Sequence, residues 1–218
     1  MSIALLVITD GRGDCLKQTI PSALAMLEGP ITHRMIFDDS GDAEYRRWIF
    51  QSFPTFELFF EPGRKGFGGA IQAAWNHLKR YDKFEYVFHL EDDFLFHRPV
   101  PLVDMMKVLD DHPYLYQLAL KRQPWNDTEK QAGGIIEQHP GDYTQKESWI
   151  EHRRFFTTNP TLYRRSLMDI GWPSGIHSEG HFTHKILNMD PEAQFAFWGH
   201  RADEPWVQHI GARQGTGY

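Results

Sequence analysis

Tyr86-Val87-Phe88-His89-Leu90-Glu91-Asp92-Asp93-Phe94-Leu95-Phe96 is the stretch that decides how this chain folds. A short apolar run, residues 86–90, passes straight into three carboxylates, the pattern of a buried strand ending in a polar turn. Three adjacent carboxylates repel one another, so the cluster is costly unless a cation or hydrogen bonds compensate it. A hard divalent ion, Mn²⁺ or Mg²⁺, is the natural compensation because it prefers oxygen ligands. Such an ion keeps one or two protein carboxylates and leaves its other positions to water and phosphate oxygens, which makes a metal-bridged diphosphate the expected partner. The bland alternative is a solvated acidic turn capping a helix, and the Phe-Leu-Phe that follows the triplet weighs against it.

Toward the N-terminus the chain alternates. Residues 3–8 read as a fully buried strand ending in the loop Thr9-Asp10-Gly11-Arg12-Gly13-Asp14. A helical pattern over 16–28 stops at Gly29-Pro30, and a second strand over 33–37 ends in Asp38-Asp39-Ser40-Gly41-Asp42. A helix over 43–53, a strand over 56–60, a glycine-rich loop over 63–69 and a helix over 70–80 lead back to the strand at 86. This β-α-β-α-β-α-β order predicts an α/β fold, a doubly wound, mostly parallel sheet with helices on both faces. Ligands bind beyond the carboxyl ends of such strands, where the Asp-, Gly- and Arg-rich loops converge.

Toward the C-terminus a helix over 103–111 and a strand over 114–120 precede a weakly patterned stretch, 121–151, broken by Pro124, Gly133-Gly134, Pro140 and Gly141. It reads as a long loop or a small hairpin excursion. Residues 154–163 are partly extended, 164–170 and 180–188 helical, and 196–197 and 207–210 short strands. The tail from Gly211 to Tyr218 is glycine-rich. With no repeat, low-complexity block or linker, residues 1–218 read as one domain.

The triplet, with Pro99 and Pro101 shortly after it, resembles the DXD region of GT-A glycosyltransferases, in the Glu-Asp-Asp form of the N-acetylglucosaminyltransferase I group. The resemblance implies a GT-A fold with a nucleotide-sugar-binding half over 1–100 and an acceptor-binding half over 101–218. It implies that Asp93 holds the metal, with Glu91 and Asp92 near the sugar or ribose. The segment containing Thr9, Asp10 and Arg12 resembles the loop that cradles the nucleotide, and Asp39, with Asp38 close behind, stands where the family contacts the nucleobase. Lys65 and Gly66 open a loop and helix similar to the family's, where glycines admit a ligand to the backbone and a helix N-terminus favours an anion. Glu179 resembles the base that deprotonates the acceptor hydroxyl in inverting members, a role that requires hydrogen-bond reach of the nucleophile. Val207-Gln208-His209-Ile210-Gly211 resembles the late His-x-Gly signature whose histidine, here His209, reaches the metal. Asp203-Glu204 is a rival base pair, and the glycine-rich tail with Arg213 is a candidate to fold over the donor phosphates.

The expected function is therefore metal-dependent transfer of a sugar from a UDP- or GDP-linked donor to an acceptor hydroxyl, with inversion if Glu179 acts as base and retention if no base is needed. The acceptor stays open between a glycan, a protein, a small molecule and a modified nucleobase. A nucleotidyltransferase and a non-catalytic carbohydrate-binding protein on the same fold are the alternatives; the first loop lacks the glycine- and basic-rich stretch that holds a triphosphate. A net charge of -6 excludes a globally cationic surface, although Arg153, Arg154, Arg164 and Arg165 suggest a local basic patch. The one cysteine, Cys15, excludes an internal disulfide and suits a reducing compartment. No stretch approaches membrane-spanning length, so a cytoplasmic protein is expected. His177, His181 and His184 share one helix face only if their helix starts early, which Ser174-Gly175 and Gly180 oppose, so zinc is not the expected metal. The Arg12-Gly13-Asp14 tripeptide reads as coincidence.

Overall fold

Along the first strand, β1 (Ile3–Thr9), every residue is buried, yet its side chains divide between two cores. Ile3, Leu5 and Val7 join one apolar cluster and Ala4, Leu6 and Ile8 the other. Strict alternation with both faces apolar is what a strand needs when helices cover a sheet on both sides. The computed structural model describes residues 1–211 of the chain. Its remaining strands are β2 (Leu27–Glu28), β3 (Ile31–Asp38), β4 (Glu57–Phe60), β5 (Tyr86–Glu91), β6 (Phe94–Phe96), β7 (Val100–Pro101), β8 (Leu115–Ala119), β9 (Tyr143–Gln145), β10 (Trp149–His152), β11 (Thr161–Arg164), β12 (Gln194–Trp198) and β13 (Val207–His209). The helices are α1 (Gly13–Met26), α2 (Ala43–Ser52), α3 (Gly66–Leu78), α4 (Leu102–Asp111), α5 (Asp127–Ala132) and α6 (Ser178–Met189).

Nine strands form one sheet in the order β4-β3-β1-β5-β11-β8-β12-β10-β9. The first four are parallel, as the alternation predicts. Beyond β5 the sheet is mixed: β11 runs antiparallel to both β5 and β8, β12 is parallel to β8, and the β9–β10 hairpin closes the edge. That hairpin and the short helix α5 are regular elements found within the weakly patterned stretch. Helices α1, α2 and α4 pack through Leu16, Ile20, Ile49, Met105 and Leu109 on one face. On the other face, α3 and α6 pack through Ile71, Trp75, Phe182 and Ile186.

Three helices start two or more residues earlier than the sequence pattern places them. α3 begins at Gly66, inside the glycine run, and α6 begins at Ser178 behind His177, which adopts a left-handed backbone (φ 59°). Close packing explains the first. A Cβ at Gly68 would stand 2.9 Å from the carbonyl oxygens of Pro173 and Gly175, so glycine lets α3 dock on the chain that leads into α6. α1 likewise starts at Gly13 and ends at Met26, because Leu27–Glu28 pairs with Val100–Pro101 instead of extending the helix.

Candidate functional site

From β1 the chain builds outward to β3 and β4 on one side and then crosses to β5 on the other. The topological switch point therefore lies between β1 and β5, where the carboxyl ends of an open α/β sheet form a crevice. A cleft of about 160 Å³ opens there. Six of the residues singled out in the sequence line it: Thr9, Asp10, Arg12, Asp39, Gly66 and Glu91. Arg64 and Phe67 line it as well, and neither was singled out.

Each lining residue is held by a short local reason. Asp39 accepts hydrogen bonds from the backbone amides of Lys65 (2.7 Å) and Gly66 (2.9 Å), tying the end of β3 to the start of α3. Burial raises its pKa, and those two amide bonds oppose the rise. Asp38 turns away from the cleft: it is 1% exposed, and its carboxylate takes Arg46 Nε at 2.7 Å and the Ser40 amide at 3.0 Å. The Lys65 side chain pairs with Glu61 at 3.2 Å.

The acidic triplet is compensated from three directions. Asp92 is completely buried; it accepts Thr9 Oγ1 at 2.6 Å and pairs with Arg12 Nη2 at 2.5 Å. Burial pushes its pKa up to about 7 against the pull of Arg12 and Thr9. Arg12 also bonds Asp93 Oδ2 and reaches Asp10 at 3.1 Å, so one guanidinium spans three carboxylates. Glu91 titrates well above an ordinary glutamate, through burial first and then repulsion from Asp93.

His209 arrives from the far end of the chain. β13 pairs antiparallel with β6, setting His209 opposite Phe94 and its Nε2 3.1 Å from Asp93 Oδ2. Asp93 titrates low: burial acts against this, but the His209 hydrogen bond and the Arg12 charge outweigh it. The backbone amide of Ile210 donates to the Asp93 carbonyl at 2.8 Å. A Cβ at Gly211 would collide with the Asp93 carboxylate and stand 3.0 Å from Arg12 Nη1, which is the physical reason a glycine follows His209 by two positions.

A second carboxylate pair flanks the first. Thr158 donates its amide (2.6 Å) and its hydroxyl (2.8 Å) to Glu179 Oε1 at the start of α6. Glu91 meets the same hydroxyl and the field of Glu179. Thr158 has one hydroxyl proton, so Glu91 and Glu179 cannot both be ionised acceptors of it. Burial raises the Glu179 pKa, and the Thr158 bonds moderate the rise.

Several groups stand elsewhere. His177, just before α6, and His181 and His184 on it are exposed, and among the described residues no three His, Cys, Asp or Glu side chains converge on a metal. Arg164 donates to the carbonyls of Leu109, His112 and Leu115, and Arg165 to those of Lys79 and Tyr81. Both therefore satisfy helix ends rather than a basic patch. Asp203 accepts the His200 amide at 2.8 Å in a turn. Arg213 lies outside the described residues. No helix among the described residues is long and apolar enough to cross a membrane.

No protein-family model matches the chain, and no curated protein sequence does. Solved structures do match. S. aureus TarS 1-349, in complex with UDP-GlcNAc, superposes with a TM-score of 0.67 at 18% identity over 100% of this chain. GalNAc-T7, with UDP, GalNAc and Mn²⁺, superposes with a TM-score of 0.67 at 10% identity over 97% of this chain. This chain spans 62% of the length of the first and 44% of the second. At these identities the likeness is one of fold, and the architecture is the GT-A-type mixed α/β domain that the sequence leads one to expect.

Proposed function

We propose that the chain is a glycosyltransferase that transfers a sugar from a nucleotide-diphosphate donor, UDP-linked in preference to GDP-linked, to an acceptor hydroxyl. The observation that carries this reading is that Asp93 and His209, from segments far apart in sequence, meet beside Glu91, which lines the switch-point cleft and feels the charge of Glu179. The uridine nucleotides bound by both structural neighbours support the choice of base.

The residues fit a divalent ion. Asp93 Oδ1 is buried without a hydrogen-bond partner among the described residues, and His209 Nε2 stands beside Oδ2. Two protein ligands are what Mn²⁺ or Mg²⁺ takes when phosphate oxygens supply the rest. When bound, the ion supplies positive charge that stabilises the departing diphosphate. The chain's own residues do the remainder. Thr9, Asp10, Asp39 and the α3 N-terminus orient the nucleoside and phosphates, and Arg12 adds a fixed cation to the same wall. Glu179, its Oε1 held by Thr158, accepts the acceptor's proton on Oε2. The acceptor oxygen bonds to the anomeric carbon while the carbon–phosphate-oxygen bond breaks, its electron pair leaving with the nucleoside diphosphate. Attack from the face opposite the leaving group inverts the centre. The raised pKa of Glu179 makes it a stronger base than a solvated glutamate.

A thermal-shift and calorimetric screen of UDP- and GDP-sugars with and without Mn²⁺ tests this. At a ligand concentration near 100 Kd the wild type should gain about 2.7 kcal/mol, and Asp93→Ala should gain nothing. Release of pyrophosphate in place of nucleoside diphosphate would instead indicate a nucleotidyltransferase. Absence of any nucleotide-sugar response would leave a carbohydrate-binding protein.

A further inference from the structure

We infer that the turn over residues 122–129 is a clasp that fixes His209 against Asp93, with Gln123 as its positioning residue. The purpose assigned to that ring, holding a metal, rests on the function proposed above. The clasp itself rests on geometry alone.

His209 ends a three-residue strand whose partner strand, among the described residues, is β6; on its other side Arg122 bridges it at Val207. Beyond that bridge, at His209, a side chain takes the place of a strand. Gln123 Oε1 accepts the His209 amide at 2.9 Å, and Gln123 Nε2 donates to the His209 carbonyl at 2.9 Å. A primary amide can satisfy both groups of one residue at once, and among the side chains only Asn and Gln carry such a donor–acceptor pair. The ring is gripped as well: Trp125 meets it edge-on at 4.0 Å, and Phe94 packs from the opposite strand at 4.9 Å.

The turn that presents Gln123 and Trp125 is itself locked by one carboxylate. Glu129, 3% exposed, accepts Arg122 Nη1 at 2.6 Å and Nη2 at 3.0 Å, the Trp125 amide at 2.7 Å and Asn126 Nδ2 at 3.0 Å. Asn126 returns a cap to the Glu129 amide at 2.8 Å. Four donors converging on one buried carboxylate hold a short segment rigidly where its single-turn helix cannot. Groups that orient a metal-binding histidine are worth one to two orders of magnitude in metal affinity.

The test uses the full chain and two readouts. Water-proton relaxation with Mn²⁺ alone gives the metal Kd, and the His209 ring resonance in the metal-free protein reports the ring's packing against Trp125. Gln123→Ala and Glu129→Gln should each weaken Mn²⁺ binding about 10- to 100-fold. Both should also move the ring resonance toward that of a solvated histidine, while the thermal midpoint shows the protein still folded. Should Gln123→Ala fail to fold, Trp125→Leu, which leaves the backbone pairing intact, takes its place in both assays. A wild-type Kd together with an unmoved ring resonance overturns the clasp. A wild type that binds no Mn²⁺ sinks the metal reading, and the ring resonance then decides the clasp by itself.

Discussion

Removing Arg12 puts the electrostatics of the cleft to its sharpest test. Its guanidinium is 15% exposed and faces the carboxylates of Asp92 and Asp93, which are 0% and 1% exposed, with Asp10 at its edge. Deleting one partner of a buried ion pair costs roughly 3–5 kcal/mol, because the other charge stays desolvated and unpaired. In Arg12→Met the packing volume is largely kept, while two desolvated carboxylates lose their cation. The expected loss at pH 8, from urea unfolding, is therefore about 4 kcal/mol. Because Arg12 and a divalent ion would neutralise the same Asp93 carboxylate, the variant should recover more stability from Mn²⁺ than the wild type does. At a fixed Mn²⁺ concentration near 100 Kd for the variant its recovery approaches about 2.7 kcal/mol, and the wild type, binding Mn²⁺ more weakly, recovers less. A loss below about 1 kcal/mol, the range of exposed ion pairs, would mean that the triplet is compensated by water and that the account of the cleft is wrong. A full loss with no differential Mn²⁺ recovery would leave Arg12 as a structural cation and remove Asp93 from the metal site.

Three further outcomes follow from groups away from the cleft. His152 lies on β10, one strand in from the sheet edge, among Tyr143, Phe155 and Phe197, and burial lowers its pKa to about 3. The unfolded chain then binds the proton first, so stability falls as pH drops from about 6.5 toward 3, by up to about 1.4 kcal/mol per pH unit; His152→Phe should remove that share of the slope in acid-limb urea melts, and an unchanged slope would refute it. Lys121 donates Nζ to the carbonyls of His200 (2.9 Å), Arg201 (2.8 Å) and Asp203 (2.6 Å), pinning the turn before β13. Lys121→Met should cost about 2–4 kcal/mol in the same assay, from stranded carbonyls and lost charged hydrogen bonds, whereas a loss under about 1 kcal/mol would show water replacing the ammonium freely. Gly68→Ala should cost about 1–3 kcal/mol, since backbone carbonyls rather than a flexible side chain stand at 2.9 Å; a neutral effect would show that the approach of α3 to residues 173–175 is loose.

The half of the fold that could be read from the sequence is the half in which local pattern and tertiary environment agree. β1 and β5 are apolar on both faces because helices cover both, so a bare run such as residues 3–8 can hardly be anything else. The mixed half was less legible. β11 slots antiparallel between β5 and β8, and no feature of Thr161-Leu162-Tyr163-Arg164 encodes its neighbours; the pairing belongs to the tertiary context. The start of α3 defies propensity, because three glycines in four residues argue for a loop. A glycine at 68 instead allows a backbone contact that a larger residue would forbid, and that packing outweighs the propensity cost.

The candidate site divides along the same line. Acidic and glycine residues at strand ends are visible because the topology delivers strand ends to the cleft, whatever the details of the loops. Arg12 was legible as a loop residue but not as the cation of the triplet, since that depends on the β1–β5 pairing, which sets Ile8 beside Glu91 and brings the two loops together. Arg164 and Arg165 show the converse error. Two adjacent arginines suggest a surface patch, yet each is drawn to a helix terminus whose carbonyls lack intrahelical partners. Gln123 was invisible for a deeper reason: its partner is the backbone of His209, and backbone groups carry no sequence signature. A residue that recognises a main-chain amide and carbonyl can be found only after the fold has put a strand edge in front of it. Residues that hold another residue's main chain are therefore the part that sequence reading loses, even where, as with His209, it singles out the side chain they hold.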